Sequence, residues 1–310
     1  KIFAGTGYKL PDEVENEISA MVLDPDMRWP YPDSNRVGRA SKIEDAGGRY
    51  IVYTKSCFPA HLTLSGLRIV IDCANGAAYK VAPLALEELG AEVFRLGTSP
   101  NGTNINDHCG STHPEHLVQL VKDTGADIGL SFDGDADRCL AVDENGNLID
   151  GDVLMAICSL DMKSRGKLEK DAAVGTIMSN LGFIKYMESQ GINTEKTAVG
   201  DRYVLENMRE NGFAIGGEQS GHVILLHHAT TGDGELTAGK LLKLLAESGK
   251  KMSELNGIYA QYPQVLVNVT ANAAQKKAYK EDEVLAGFIE NEQQKLMGMG
   301  RVLVRVSGTE

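Results

Sequence analysis

The chain is short of positive charge. It has 31 Lys and Arg against 43 Asp and Glu, a formal net charge of −12. That balance argues against nucleic acid or an anionic membrane surface as a general partner, since both call for a broad cationic face. An anionic substrate would then need a local cationic pocket, so arginines inside glycine-rich motifs gain weight. Long apolar runs are also missing. None approaches the roughly 18 residues of a membrane-spanning helix, and there is no basic-then-apolar leader. The five cysteines, Cys57, Cys73, Cys109, Cys139 and Cys158, are scattered, odd in number and without a CxxC pair. This points to a reduced, cytoplasmic protein. Tryptophan is nearly absent, and the lone Trp29, between Arg28 and Pro30, reads as a packing anchor.

With 310 residues, 42% hydrophobic and 24% charged, the chain has an ordinary globular balance and length for about two or three domains. Residues 1–50 hold a strand at Lys1–Ala4, a helix at Pro11–Leu23 and a polar loop at Asp24–Asn35. This is too little to own a core, so it reads as the remnant of a larger unit. A helix at Ala46–Ser56 leads into residues 51–150. There, strands at Leu67–Asp72, Ala91–Leu96 and Ile128–Phe132 alternate with helices at Ala77–Leu89 and Pro114–Lys122. A hairpin of Cys139–Asp143 and Asn147–Ile149 follows. Residues 151–260 repeat the architecture without repeating the sequence. They carry helices at Asp152–Lys163, Leu181–Gln190, Arg202–Asn211 and Gly234–Ser248, and strands at Ala172–Thr176, Thr197–Val199, Ala214–Ile215 and His222–Leu226. Residues 261–310 change character, with strands at Gln264–Val269 and Arg301–Val306 around an amphipathic helix at Glu281–Met297. The expected fold class is α/β: two mixed three-layer domains, a remnant of a third and part of a C-terminal α+β domain. Both ends interrupt an element, so functional residues are expected outside this sequence.

The most informative stretch is Ser131-Phe132-Asp133-Gly134-Asp135-Ala136-Asp137-Arg138. Asp133, Asp135 and Asp137 follow the C-terminal end of a buried strand, where open α/β sheets place ligands. Small residues between them let the loop curl and bring three carboxylates together. Such a cluster repels itself without a hard cation, and an oxygen-only set suits Mg²⁺. Arg138 adds a cationic fork for a phosphate. A calcium loop starting at Asp133 would place Glu144 correctly at its twelfth position, but Arg138 stands where that loop needs glycine. A plain acidic turn is the bland alternative.

Gly217-Glu218-Gln219-Ser220-Gly221-His222 is a second motif. Glu218 and Ser220 could bond neighbouring sugar hydroxyls, and His222 could handle a proton near neutral pH. A glycine-rich hairpin explains it equally well. In Arg305-Val306-Ser307-Gly308-Thr309, backbone N–H groups, two hydroxyls and Arg305 make a credible phosphate cradle, or a plain strand-end turn. Arg202 precedes a helix and alone reads as a solvated surface group. Asn101–Asn104 and Gly110–Thr112 form a polar loop that ordinary turn chemistry explains. His227 and His228 are adjacent on a strand end, so their side chains are expected on opposite faces.

Taken together, the motifs resemble the α-D-phosphohexomutase superfamily. The carrying stretches are Asp72–Ala77, Ser99–Asn106, Asp133–Arg138, Val199–Val204, Gly217–His222, Thr230–Gly234 and Arg305–Glu310, in the family's order over the whole chain. The resemblance implies four domains around a cleft. It also implies interconversion of hexose 6- and 1-phosphates through an active-site phosphoserine and a bisphosphate intermediate. Asp133, Asp135 and Asp137 would then ligate Mg²⁺, and Arg138 would contact the serine's phosphate. Glu218 and Ser220 would hold sugar hydroxyls beside His222, with Arg202 nearby on the substrate. Arg305, Ser307, Gly308 and Thr309 would grip the distal phosphate. A homodimer is a family expectation.

Ala136 departs from the family pattern, standing where glycine is common, and the Ser-His-Asn-Pro type loop is absent from this sequence. The Glu-Gln-Ser-Gly-His loop resembles the glucosamine branch more than the mannose or glucose branches. A non-catalytic sugar-phosphate binder, or a phosphatase with Asp133 as nucleophile, stays open.

Overall fold

The computed structural model describes residues 2–279 and 281–305. Helix α1 (Asp12–Leu23) buries no side chain and precedes a mostly exposed stretch; α2 (Ala46–Ser56) buries Ile51 and Thr54. The first sheet holds β1 (Arg68–Asp72), β2 (Glu92–Leu96), β3 (Ile128–Phe132), β4 (Cys139–Asp143) and β5 (Leu148–Ile149), with α3 (Val81–Glu88) and α4 (Glu115–Thr124) as crossovers. Its order is β2-β1-β3-β4-β5. The first three strands are parallel, and β4 turns back antiparallel on β3. Next come α5 (Gly151–Ser164), β6 (Ala172–Thr176), α6 (Leu181–Ser189), β7 (Asn193–Thr197), α7 (Asp201–Asn211), β8 (Ile215–Gly217), β9 (Val223–Leu225) and α8 (Gly234–Ser248). The second sheet runs β7-β6-β8-β9, again parallel except for an antiparallel final strand.

Strand alternation explains the layers. On β1, Ile69 and Ile71 face a core shared by both sheets, while Val70 faces Leu117 and Val121 of α4. On β9, Val223 and Leu225 join the shared core, while Ile224 meets Val204 and Met208 of α7. The shared core continues through Leu154 of α5 and Leu241 of α8, so the two sheets are joined by buried apolar surface. Both helices start on aspartate caps. Asp150 accepts from Val153 N–H at 3.1 Å and Asp233 from Leu236 N–H at 2.9 Å.

The helices and buried strands follow the sequence reading closely. Edge and terminal elements differ. Thr197–Val199 is not a strand; β7 lies earlier, at Asn193–Thr197, paired in register with β6. Its polar run Asn-Thr-Glu-Lys-Thr sits at the sheet edge, where one face is solvated and apolar residues are not needed. Lys1 lies outside the described residues, and Phe3 makes one antiparallel bridge, to Lys9, in place of a strand. Trp29 is 55% exposed, so it is not the buried packing anchor expected from its neighbours.

After α9 (Met252–Asn256) come α10 (Ala273–Ala278) and α11 (Glu283–Lys295). The expected strands Gln264–Val269 and Arg301–Val306 do not form over the described residues 264–269 and 301–305. Val265, Val267 and Val269 are all well exposed. A strand needs a ladder partner, and neither run has one among the described residues.

Candidate active site

The loop from β3 to β4 and the loop from β8 to β9 occupy equivalent places in their sheets: each joins the last parallel strand to the antiparallel one. The first is the acidic loop and the second the Glu218–His222 loop. They meet directly, for Cys139 N–H donates to Gly221 O at 3.0 Å. The following helices cross over. Helix α5, after the first sheet, places Gly151 N–H 2.9 Å from Gln219 O on the second loop; α8, after the second sheet, places Gly234 N–H 2.9 Å from Ala136 O on the first. These approaches exclude side chains. A Cβ on Gly151 would stand 2.0 Å from Glu218 O, and one on Gly234 would stand 2.6 Å from Arg138 O.

Carboxylate oxygens of Asp133, Asp135 and Asp137 all lie within 4.8 Å of one another. Burial pushes the Asp133 carboxyl up, opposed by the Arg138 N–H at 3.1 Å and reinforced by the charge of Asp135. Arg138 Nε stands 3.8 Å from Asp133 and 3.9 Å from Asp137, too far for hydrogen bonds but close enough to offset their charge. The loop's curl needs Ala136 at φ 60°, a left-handed conformation that costs an L-residue about 1–2 kcal/mol. Glu144 takes no part in the cluster. It accepts from Ser253 N–H at 3.0 Å and Ser253 Oγ at 2.5 Å, which removes the calcium-loop geometry.

His222 is 2% exposed and joins a second cluster with Asp137 and Asp201. Its Nδ1 is 3.4 Å from Asp137 Oδ1 and its Nε2 3.7 Å from Asp201 Oδ2. Asp201 also pairs with Lys9. Glu218 accepts from Gly200 N–H at 2.9 Å, which ties the Glu218–His222 loop to the start of α7; Ser220 is exposed at its tip. Arg202, one residue past Asp201, is engaged by Asp12 and by Glu206 at 2.8 Å. Arg305 is exposed, and Ser307, Gly308 and Thr309 lie outside the described residues.

Two family profiles match the chain: "Phosphoglucomutase/phosphomannomutase, alpha/beta/alpha domain II" over residues 49–146 and "alpha/beta/alpha domain III" over residues 150–262. A phosphoglucosamine mutase of Desulfovibrio desulfuricans is 56% identical over 310 residues, covering 100% of this chain and 68% of the relative. One from Nitratidesulfovibrio vulgaris is 54% identical with the same coverage. This chain belongs to the phosphoglucosamine mutase family. It spans about two thirds of the length of these relatives. Among solved structures, N-acetylphosphoglucosamine mutase of Aspergillus fumigatus, in complex with GlcNAc-6P and magnesium, shares the fold. The TM-score is 0.66 at 20% identity, over 86% of this chain and 61% of that one.

Three supports of this site stand outside the motifs the sequence singles out. Asp201 stands beside Arg202, and an acid directly after a glycine at a helix start is its visible signal. Lys9 lies 192 positions from its partner Asp201 and offered none. Asp72, fully buried, accepts from Ala74 N–H at 2.9 Å and Gly110 N–H at 2.8 Å, pinning the turns that flank the acidic loop. Among the described residues, no helix is long and apolar enough to cross a membrane.

Proposed function

We propose that the whole protein interconverts glucosamine 6-phosphate and glucosamine 1-phosphate in the cytoplasm, for UDP-N-acetylglucosamine and peptidoglycan precursor synthesis. The observation that carries this reading is the docking of the acidic loop against the Glu218–His222 loop, with three carboxylates, Arg138 and His222 converging at the junction.

Asp133, Asp135 and Asp137 fit a hard divalent cation, being oxygen donors held close together and partly desolvated. Bound there, Mg²⁺ would supply charge neutralisation for a transferring phosphoryl group. Arg138 adds donors to that group without reorganisation. Glu218 and Ser220 hold sugar hydroxyls, and His222 holds or moves a proton at Nδ1 beside Asp137. Arg202, Arg305, Ser307, Gly308 and Thr309 orient the substrate, the last four at its distal phosphate. The phosphoryl group itself comes from a serine phosphate that the family resemblance implies. The domains divide near residues 50, 150 and 260, and the protein is a homodimer.

Steady-state assays of the full-length protein on glucosamine 1-phosphate and glucose 1-phosphate test this. Higher kcat/KM on the amino sugar is expected. Faster turnover of glucose 1-phosphate overturns the assignment, and no turnover of either with no phosphoserine by mass spectrometry leaves a binding protein.

A further inference from the structure

A cavity of about 320 Å³ lies at the other end of the second sheet from the catalytic loops. Ala214, just before β8, and Leu225, the last residue of β9, line it, and both stand at the opposite end of the β8–β9 hairpin from Glu218–His222. The later turns of α5, the middle of α8 and Cys57 after α2 complete the walls. His227 and His228 both line it too. They do not point to opposite faces, because β9 ends at Leu225 and the chain turns, with His228 N–H and Ala229 N–H both donating to Leu225 O.

In an acidic chain this cavity is locally cationic. Arg165, Lys167, Lys240 and Lys243 line it, against Asp161. Asp161 and the neighbouring Glu247 are shared by Arg165, at 2.6 and 2.7 Å, and by Lys243, at 3.4 and 3.1 Å. Lys243 is only 7% exposed in its side chain. Among the described residues Lys240 makes no such ion pair; its ammonium donates to Cys57 O at 3.1 Å. Burial, with the charge of Lys243 as a smaller cause, lowers its pKa against the opposing influence of Cys158, Cys57 and Asp161. His228 is held neutral by burial, its pKa down at about 4, and His227 faces Glu169 at 2.9 Å. Met162, Leu225 and Leu244 make the remaining wall apolar. The four cations outnumber the acids beside them, which suits an anionic ligand, and the size is within the roughly 300–1,000 Å³ of small-molecule sites.

We propose that this cavity is a second ligand site, binding a small phosphate monoester with a compact apolar body, its phosphate held by Lys240 and its body against Met162, Leu225 and Leu244. A phosphate monoester carries about two charges near neutral pH, so it completes the pairing that Asp161 and Glu247 leave unfinished.

The test is calorimetric titration of phenyl phosphate into the full-length protein saturated with glucosamine 1-phosphate, which occupies the catalytic cleft. One saturable site per chain is expected, with affinity at least about tenfold weaker in Lys240→Met, a loss typical of a buried charge-assisted contact. Lys167→Met, at an exposed position on the rim, serves if Lys240→Met misfolds by circular dichroism, and is expected to weaken binding several-fold. Unchanged affinity in both variants overturns the proposal. So does loss of all binding once the cleft is saturated, or equally tight binding of uncharged phenol.

Discussion

His222 Nδ1 stands 3.4 Å from Asp137 Oδ1, across the seam between the two sheets. The ring reaches this position over Gly232, where a Cβ would come within 2.4 Å of the imidazole. One side chain from the second sheet's loop thus props a carboxylate on the first. His222→Ala in the full-length protein is expected to lower kcat/KM about a hundredfold, the scale of a lost acid–base or positioning group. His222→Asn, which keeps a donor near the Nδ1 position, should recover part of it. Equal activity of wild type and His222→Ala, with matching circular dichroism, removes the residue from the mechanism.

Asp135 is the exposed member of the acidic trio, so changing it spares the core. Asp135→Asn should weaken Mg²⁺ binding by about tenfold or more, as loss of one charged ligand does for hard cations. Turnover should fall with it. Full activity in chelator-treated buffer would remove the metal from the reaction.

Ala136→Gly relieves the left-handed strain at φ 60°. The gain of about 1 kcal/mol or slightly more is partly offset by the freer unfolded chain. A thermal midpoint higher by roughly 1–3 °C is expected from calorimetry; a lower one would show that the methyl group contributes packing that outweighs the strain.

Gly76→Ala places a Cβ 2.2 Å from Gly134 O, inside the bond from Ala77 N–H to that same oxygen. The acidic loop must shift, costing about 1–3 kcal/mol and most of the Mg²⁺ affinity. Unchanged metal titration in this variant would mean the loop relocates without losing its ligand geometry.

Glu235 lies 8% exposed beside Phe58, Ala82 and Phe132. Burial, helped by the charge of Asp233, raises its pKa from 4.5 to about 8. The folded state therefore holds a proton that the unfolded state releases above about pH 4.5. The stability this gives is complete below that pH and is lost as pH rises through about 8. Asp152, raised by burial to about 7, acts in the same direction. The wild-type thermal midpoint should fall between pH 5 and pH 9, and Glu235→Gln should flatten the slope. Parallel slopes for both proteins would show that Glu235 ionises in the fold without penalty.

The parts of this fold that could be read in the sequence are those whose hydrophobic pattern is their own. β3 is apolar because both of its faces are covered, and α8 is capped by Asp233 and carries its periodic leucines inward, so both were legible. β7 escaped because an edge strand needs no apolar alternation. Gln264–Val269 misled because valine alternation describes a preference for a ladder, and the partner is a separate condition. At the site, Asp133, Asp135 and Asp137 were legible because their spacing alone converges on one point. Asp201 and Lys9 were not, since the place of Asp201 beside His222, and of Lys9 on Asp201, depends on how α7 and the N-terminal segment are set against the second sheet.

The close approaches at Gly76, Gly151, Gly221 and Gly234 are all to main-chain carbonyls, at 2.0–2.6 Å from a would-be Cβ. A carbonyl is present whatever residue carries it, so no compensating side-chain change elsewhere can make room. For an inhibitor seated where these two loops meet, a side chain added at any of the four glycines would have to displace main chain, so escape through these positions carries a cost in the fold itself.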